Sequence, residues 1–233
     1  MPKLSALVLA SIRLILLAEA VIGVVTGQAM AVFVSAAALF LTFTPGHLAE
    51  RAQLTLPPSI LAGIAVFVMA SLYLGELHSF YDRFWWWDLA LHFGSAVGVG
   101  LLGFLLILMM FEGDRYAAPP WALGLLSFCL AITVGTLWEI FEYAMDSIFG
   151  YNMQKSGLRD TMGDLIVNAV GAMVAALGGV FYLSGERGWN LGGTFDAFIA
   201  ANRSRFGKVL PGHGAQDRGE PPSDPDPGPA KKK

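Results

Sequence analysis

The stretch DLALHFGSAVGVGLLGFLLILMMF, residues 88–111, decides the fold class of this chain. Its 24 residues include one acidic side chain, Asp88, and one histidine, His92. A helix needs about 20 mostly apolar residues to cross the hydrocarbon core of a bilayer, so this stretch predicts a transmembrane helix. Five other stretches meet the same requirement, near residues 4–25, 29–44, 59–75, 120–146 and 160–183. The sequence therefore predicts an all-α polytopic membrane protein, a bundle of about six transmembrane helices.

The composition excludes several classes of protein. Of the 233 residues, 55% are hydrophobic and 14% are charged, and the mean hydropathy is +0.57. Soluble domains carry about 25% charged residues, so a soluble enzyme, a disordered chain and a nucleic-acid-binding protein are excluded. The formal net charge is −3, yet residues 1–183 contain seven basic and twelve acidic side chains, a net charge of −5. Membrane helices usually avoid carboxylates, so this acidic excess needs an explanation.

Half of these twelve acids lie in three short polar stripes at helix ends. Residues three, four or seven apart lie on one face of a helix. The stripes are Asp88 and His92 at the start of the fourth span, Glu139, Glu142 and Asp146 at the end of the fifth, and Asp160, Asp164 and Asn168 at the start of the sixth. Because successive spans alternate in direction, these three helix ends lie on the same side of the membrane. The sequence predicts one pocket there, with Asp146 and Asn168 as its weakest members.

The charge of this pocket predicts its chemistry. Carboxylates that lie close together in a membrane cannot all be ionised without compensation, so protons or a bound cation must supply it. Carboxylate oxygens with one imidazole suit a divalent metal ion such as Zn, Mn, Fe or Mg. Asp88 is predicted to be either a ligand or the partner that orients His92. The predicted metal ligands are Asp88, His92, Glu139, Glu142 and Asp164, with Asp160 as a catalytic base or a further ligand.

Each of these residues also has a purely structural interpretation. Asp88 and Asp160 stand where helix N-caps are expected. A single histidine in a membrane often bonds to a neighbouring helix, and protonated glutamates can simply hold helices together. Outside the pocket, Arg13 and Glu19 on the first span are predicted to form a structural pair. Cys129 has no partner for an internal disulfide.

Basic residues in short loops predict the orientation of the chain. With the N-terminus in the cytoplasm, the inner segments carry Lys3, Arg51, Arg115 and the basic tail, and the outer loops carry Arg83, Lys155 and Arg159. The bias of the loops alone is slight, so the tail decides the orientation. Both termini are therefore predicted to be cytoplasmic in a bacterial inner membrane, which places the pocket at the periplasmic face. Residues 184–210 are predicted to be cytoplasmic and to form an interfacial amphipathic helix, or else a solvated helix or coil. Residues 211–233 are predicted to be a disordered tail.

The three stripes belong to a longer ordered pattern. It reads DLALHF at 88–93, WEIFEY at 138–143 and DTMGDL at 160–165. This pattern resembles the YjdF-like family of bacterial inner-membrane proteins, which is loosely similar to VanZ-like proteins, and the resemblance covers roughly residues 76–183. The resemblance implies a location and a fold and supplies no substrate. In that family a Tyr-Asp-Arg triplet leads directly into the histidine, whereas tryptophans here separate Tyr81-Asp82-Arg83 from His92, which leaves the aspartate partner of the histidine open.

Three functions from different classes are compatible with this sequence. The first is a metal-dependent membrane enzyme that acts on a lipid-like substrate, since a metal ion can activate water or polarise a phosphoryl or acyl oxygen. The second is a cation or proton transporter, although no inverted repeat or broken helix pair lies near the acids. The third is a non-catalytic subunit of a membrane complex, for which small residues such as Gly94 and Gly98 suit helix packing. The predicted partner is the lipid bilayer, no nucleic acid is expected, and the oligomeric state is not predicted.

Overall fold

The computed structural model describes residues 2–111, 118–184, 192–203 and 206, and every regular element within them is a helix. The elements are α1 (Pro2–Thr26), α2 (Ala29–Arg51), α3 (Pro58–Val68), which continues as a π-helical segment (Met69–Leu77), α4 (Phe80–Arg83), α5 (Trp87–Phe111), α6 (Pro120–Phe149), α7 (Leu158–Leu183) and α8 (Gly192–Ala201). Six of them, with α3 and its π-helical continuation counted as one, are long and apolar enough to cross a membrane. The predicted fold class is confirmed.

Prolines and glycines mark several of the helix ends. Helices α3 and α6 have Pro58 and Pro120 in their first turn, where the missing N–H would have no partner in the helix anyway. Gly27 and Gly150 follow α1 and α6 with φ angles of 72° and 70°, which favour glycine. Because only two residues separate α1 from α2, these two helices run antiparallel and side by side.

Helix α2 is longer than the sequence predicts, because it continues through Pro45 to Arg51 instead of ending near residue 44. A proline inside a helix removes one backbone hydrogen bond and weakens the turn before it. Pro45 has no N–H for the carbonyl oxygen of Leu41, and Arg13 of α1 donates hydrogen bonds to the next residue, Thr42. Its Nη2 donates to the carbonyl oxygen of Thr42 at 2.9 Å, and its Nε donates to the Thr42 hydroxyl at 3.1 Å.

The prediction that Arg13 and Glu19 form a structural pair with each other is wrong. Among the ion pairs of the described residues, none joins these two side chains. Arg13 instead bonds to Thr42, and Glu19 accepts a hydrogen bond of 3.5 Å from the hydroxyl of Tyr73. Residues six apart on an α-helix point about 120° away from each other, so Arg13 faces α2 while Glu19 faces the π-helical segment.

The helices form two groups that meet along α5. Helices α1, α2 and α3 pack around Leu16, Ala38 and Ala65, whereas α5, α6 and α7 pack on one another. Where α5 meets α7, Gly171 faces the backbone carbonyl of Phe93, and a Cβ on this glycine would lie 2.6 Å from that oxygen. The two backbones therefore approach more closely than any other residue at position 171 would allow.

Helix α8 covers the end of the bundle opposite to the predicted pocket. Its apolar face is buried against α5 and α6. After the helix, the side chain of Asn202 accepts a hydrogen bond from the N–H of Thr55 at 2.8 Å and donates one to its carbonyl at 2.9 Å, which fixes α8 to the α2–α3 loop. Residues 185–191, 204–205 and 207–233, the predicted tail included, lie outside the described residues, and an interfacial location of the segment stays a prediction. The apolar cluster in which α8 is buried consists of Phe104, Leu105, Leu123, Phe195, Phe198, Ile199 and Phe206.

Replacing Gly171 with alanine should destabilise the fold, because the new methyl group would meet the Phe93 carbonyl, which cannot move aside as a side chain can. We expect a loss of about 1–3 kcal/mol, the usual cost of overpacking. The measurement is the midpoint of thermal unfolding in detergent, followed by circular dichroism. The matched control is Gly94→Ala on α5, where a Cβ would meet nothing within 4 Å. Equal midpoints for the two variants would argue against the close α5–α7 contact.

Candidate metal centre

Three helix ends meet around the imidazole of His92. Nε2 of His92 lies 3.6 Å from Oδ1 of Asp88 on the same helix, and Nδ1 lies 3.6 Å from Oε1 of Glu139 on α6. Glu142 lies one turn further along α6, and Asp164 comes from the second turn of α7. Asp88 is 28% exposed, whereas the other four side chains are at most 8% exposed. We call these five residues the His92 cluster.

The five predicted ligands fall into two overlapping sets. One ligand atom from each of Asp88, His92 and Asp164 lies within 4.8 Å of the others, and the same holds for His92, Glu139 and Glu142. His92 belongs to both sets because its two ring nitrogens have different neighbours, Asp88 at Nε2 and Glu139 at Nδ1. The structure therefore brings together all five residues that the sequence predicts as metal ligands.

Several oxygens of the His92 cluster are buried without a partner. Both carboxylate oxygens of Glu139 and Oδ2 of Asp164 lack a hydrogen bond of normal geometry, although the hydroxyl of Thr161 approaches Glu139. The two acids are only 3% and 1% exposed. An unpaired buried polar group costs about 1–3 kcal/mol, and a charged group costs more. Native structures rarely leave such atoms without a water, an ion or a function, so these oxygens mark a place for protons or a cation.

Asp160 lies one turn before Asp164, at the outer edge of the cluster. It belongs to neither ligand set among the described residues. Its neighbours are the backbone of Lys155 and the side chain of Ser156, both in the α6–α7 loop. Its Oδ2 is nevertheless buried and without a hydrogen-bond partner. The structure thus places Asp160 beside the predicted ligands with one oxygen still available.

The two weakest members of the predicted pocket turn out to differ. Asp146 accepts hydrogen bonds from the backbone N–H groups of Met153 and Gln154, at 2.7 and 2.9 Å, so its carboxylate fixes the α6–α7 loop. Asn168 belongs with the His92 cluster, because its Nδ2 lies 3.3 Å from Nδ1 of His92 and its side chain is 2% exposed. Asp146 therefore stabilises the α6–α7 loop, and Asn168 contacts the histidine of the candidate metal centre.

The aspartate beside His92 is Asp88, which answers the question that the Tyr-Asp-Arg triplet leaves open. Asp82 instead pairs with Lys155, with Oδ1 and Nζ 2.8 Å apart. This ion pair joins α4 to the α6–α7 loop, and Nζ of Lys155 also lies 5.9 Å from the centre of the Tyr81 ring. The pair forms between residues far apart in sequence, so no local spacing indicates it.

Two aromatic side chains near the cluster are not predicted by the sequence analysis. Nε1 of Trp138 donates a hydrogen bond to Oε1 of Glu142 at 2.9 Å, and the spacing of four residues on one helix is the signal that indicates it. The hydroxyl of Tyr81 lies 3.1 Å from Oγ of Ser71, and the Tyr81 ring fits against Gly75. Burial raises the pKa of Tyr81 to about 12, the hydrogen bond with Ser71 opposes this rise, and nearby acids add to it.

The fold and the cluster together define a class, a polytopic helical membrane protein with buried carboxylates and a histidine at one end of its bundle. The chain belongs to the family described as Predicted membrane protein (DUF2238), which matches residues 7–185. An uncharacterized protein of Thermotoga maritima is 35% identical over 105 residues, which are 44% of this chain and 52% of that protein. The chain thus spans about half the length of this relative. No solved structure matches the chain.

This family membership confirms the prediction of a membrane protein and agrees with the resemblance to the YjdF-like proteins. The more specific likeness to YjdF-like and VanZ-like proteins stays a prediction. The relative is described only as uncharacterized, so any assignment of function rests on the geometry of the site.

Removing one negative charge from the cluster should stabilise the metal-free protein. Asp164→Asn keeps the shape of the side chain and removes its repulsion with neighbouring carboxylates. In the presence of a chelator we expect a higher unfolding midpoint, by about 2–4 °C for each kcal/mol gained. Asp146→Asn is the matched control and should lower the midpoint, because both oxygens of Asp146 accept backbone hydrogen bonds. If both variants were equally destabilised, Asp164 would not be the uncompensated acid that the structure shows.

Proposed function

We propose that this chain is an integral membrane protein that binds a divalent metal ion at the His92 cluster and uses it to act on a lipid-like substrate. The observation that carries the proposal is the group of buried, unpaired oxygens on Glu139 and Asp164 beside one imidazole. Carboxylate and imidazole ligands suit Zn, Mn, Fe or Mg. Helical bundles commonly hold such ions with inward-facing acids and histidines from several helices. The proposed ligands are Asp88, His92, Glu139, Glu142 and Asp164, which form two overlapping sets of three that share His92.

In this proposal Asn168 is the residue that positions His92. An imidazole binds a metal through one nitrogen while the other carries a proton that needs an acceptor. Nδ2 of Asn168 lies 3.3 Å from Nδ1, and a half-turn of the amide about its Cβ–Cγ bond would present its oxygen to this proton as an acceptor. Nε2, which faces Asp88, is then free for the ion. Gly135 makes the space, since a Cβ there would lie 2.7 Å from Nδ2 of Asn168.

A divalent ion at this site supplies Lewis-acid chemistry, which polarises an acyl or phosphoryl oxygen or activates a water molecule. The chain's own groups have separate tasks. The cluster holds the ion, and Asp160, with its unpaired Oδ2 one turn before Asp164, accepts a proton. We place this site at the periplasmic face of a bacterial inner membrane, with both termini in the cytoplasm, because the basic residues of the C-terminal tail favour that orientation.

The purified protein should retain about one divalent ion per chain. Elemental analysis of the detergent-purified protein measures this content. Removing the charges of both glutamates, as Glu139→Gln with Glu142→Gln, should abolish most of it. Glu50→Gln is the matched control, because it makes the same change at an exposed acid of α2 and should leave the metal content unchanged.

A specific experimental outcome would contradict the proposal that the protein binds a metal ion. Size-exclusion chromatography and circular dichroism establish which variants are folded. A folded wild-type protein without metal after purification in buffer supplemented with zinc or manganese, together with a Glu142→Ala variant of unchanged stability, would overturn it.

The other functions that the sequence leaves open give different results with the same proteins. A cation or proton transporter would take up ions in proteoliposomes and lose that uptake in Glu139→Gln. Within the described ranges, the far end of the bundle is filled by apolar side chains such as Phe104, Leu123 and Phe198, which favours a site reached from one face over a pathway through the bundle. A non-catalytic subunit would co-purify with a larger complex and hold no metal.

A further inference from the structure

A cavity of about 700 Å³ borders the His92 cluster. At one end it is lined by Asp88, His92 and Glu142, and at the other by Val99 and Ala131. On α5, Val99 lies seven residues beyond His92, which is about 10 Å deeper along the helix axis. The cavity therefore extends from the polar cluster near one membrane face towards the middle of the bilayer. Its volume is in the range of about 300–1,000 Å³ that encloses a drug-sized molecule.

The side walls of this cavity are apolar and reach the lipid. Phe67 of α3 lines one side, and Val134 and Trp138 of α6 line the other. These three side chains are 38%, 42% and 47% exposed. Since α3 and α6 both belong to spans that cross the membrane, their exposed apolar side chains border hydrocarbon. A molecule can thus enter sideways from the bilayer between α3 and α6, without passing through water.

The charge at the polar end limits the kind of head group that fits. Lys155 is the only cation among the described residues that line the cavity, and Asp82 already pairs with it at 2.8 Å. The His92 cluster contains four acids, of which one divalent ion offsets two charges, and Asp160 lies beside them. No surplus positive charge is left to attract a phosphate or a carboxylate. An uncharged carbonyl oxygen meets no such repulsion. The hydroxyl of Tyr81 on the cavity wall can accept a hydrogen bond from Oγ of Ser71 and donate its own proton to this oxygen.

We propose that the cavity binds a single-chain amphiphile, with an uncharged acyl-ester head at the His92 cluster and its alkyl chain between α3 and α6. This assignment rests on the proposed function, since it names the substrate class of the same metal site. The order of surfaces along the cavity matches such a molecule from end to end. Polar groups surround the head, and Phe67, Val99 and Val134 surround the chain.

Native mass spectrometry of the metal-loaded protein in detergent tests this assignment, because it counts ion and amphiphile on the same molecules. The probe is 1-monopalmitoylglycerol, an uncharged ester with one long chain. Hexadecyl phosphate has the same chain length with an anionic head, and monobutyrin has the same head with a short chain. We expect a one-to-one complex with 1-monopalmitoylglycerol and much weaker binding of the other two.

Two valine variants separate cavity binding from adsorption to the apolar surface. Val134→Trp fills the cavity from α6 and should abolish the complex, while the metal content stays unchanged. Val170→Trp makes the same change on α7 at a position that is 52% exposed and does not line the cavity, and it should bind like the wild type. Equal binding by both variants, or equal binding of hexadecyl phosphate or monobutyrin, would overturn the assignment.

Failure of the cavity proposal and failure of the metal proposal are distinguishable in the same spectra. Retained metal without a selective complex contradicts the amphiphile and leaves the metal site intact. A selective complex that is lost in Val134→Trp, on protein that holds no metal, supports the cavity and overturns the metal site.

Discussion

The site depends on the close approach of α5 and α7. Gly171 presents no side chain, so the backbone of α7 lies against the carbonyl of Phe93. Phe93 adjoins His92, and Gly171 follows Asp164 by seven residues, or two helical turns on the same face. The contact therefore sets the separation of the imidazole and this carboxyl group. Without this contact, the side chains of His92 and Asp164 would face the hydrocarbon of the bilayer. Polar and ionisable groups are energetically unfavourable there and rare in membrane helices.

Helix α6 is held to this pair by a second small-residue contact. Oγ of Ser127 donates a hydrogen bond to the carbonyl oxygen of Gly100 at 2.6 Å. At the interface of α6 with α7, Gly135 leaves room for the side chain of Asn168. Small residues thus act at successive levels of the three-helix group, and its polar end is assembled as one unit. Such an arrangement keeps the acids in place even though their mutual repulsion opposes it.

Length and hydropathy alone predict the number of membrane helices, and helical periodicity predicts the three polar stripes. Neither signal shows how each helix is rotated against its neighbours or which groups a loop returns to. Asp146 shares a stripe with Glu142, yet its carboxylate is taken up by the loop that follows α6. Arg13 likewise bonds to Thr42 of another helix instead of to Glu19 of its own. These contacts depend on tertiary packing, which a single sequence does not display.

The guanidinium of Arg13 has a consequence for how the protein enters the membrane. Its hydrogen bonds among the described residues go to Thr42 on α2, so α1 by itself would carry an uncovered cation into hydrocarbon. Insertion scales put that penalty at about 2.5–3.5 kcal/mol. Because only two residues separate α1 from α2, α2 is synthesised immediately after α1. We therefore expect the first two helices to leave the insertion machinery as a hairpin, with the charge of one already covered by the other.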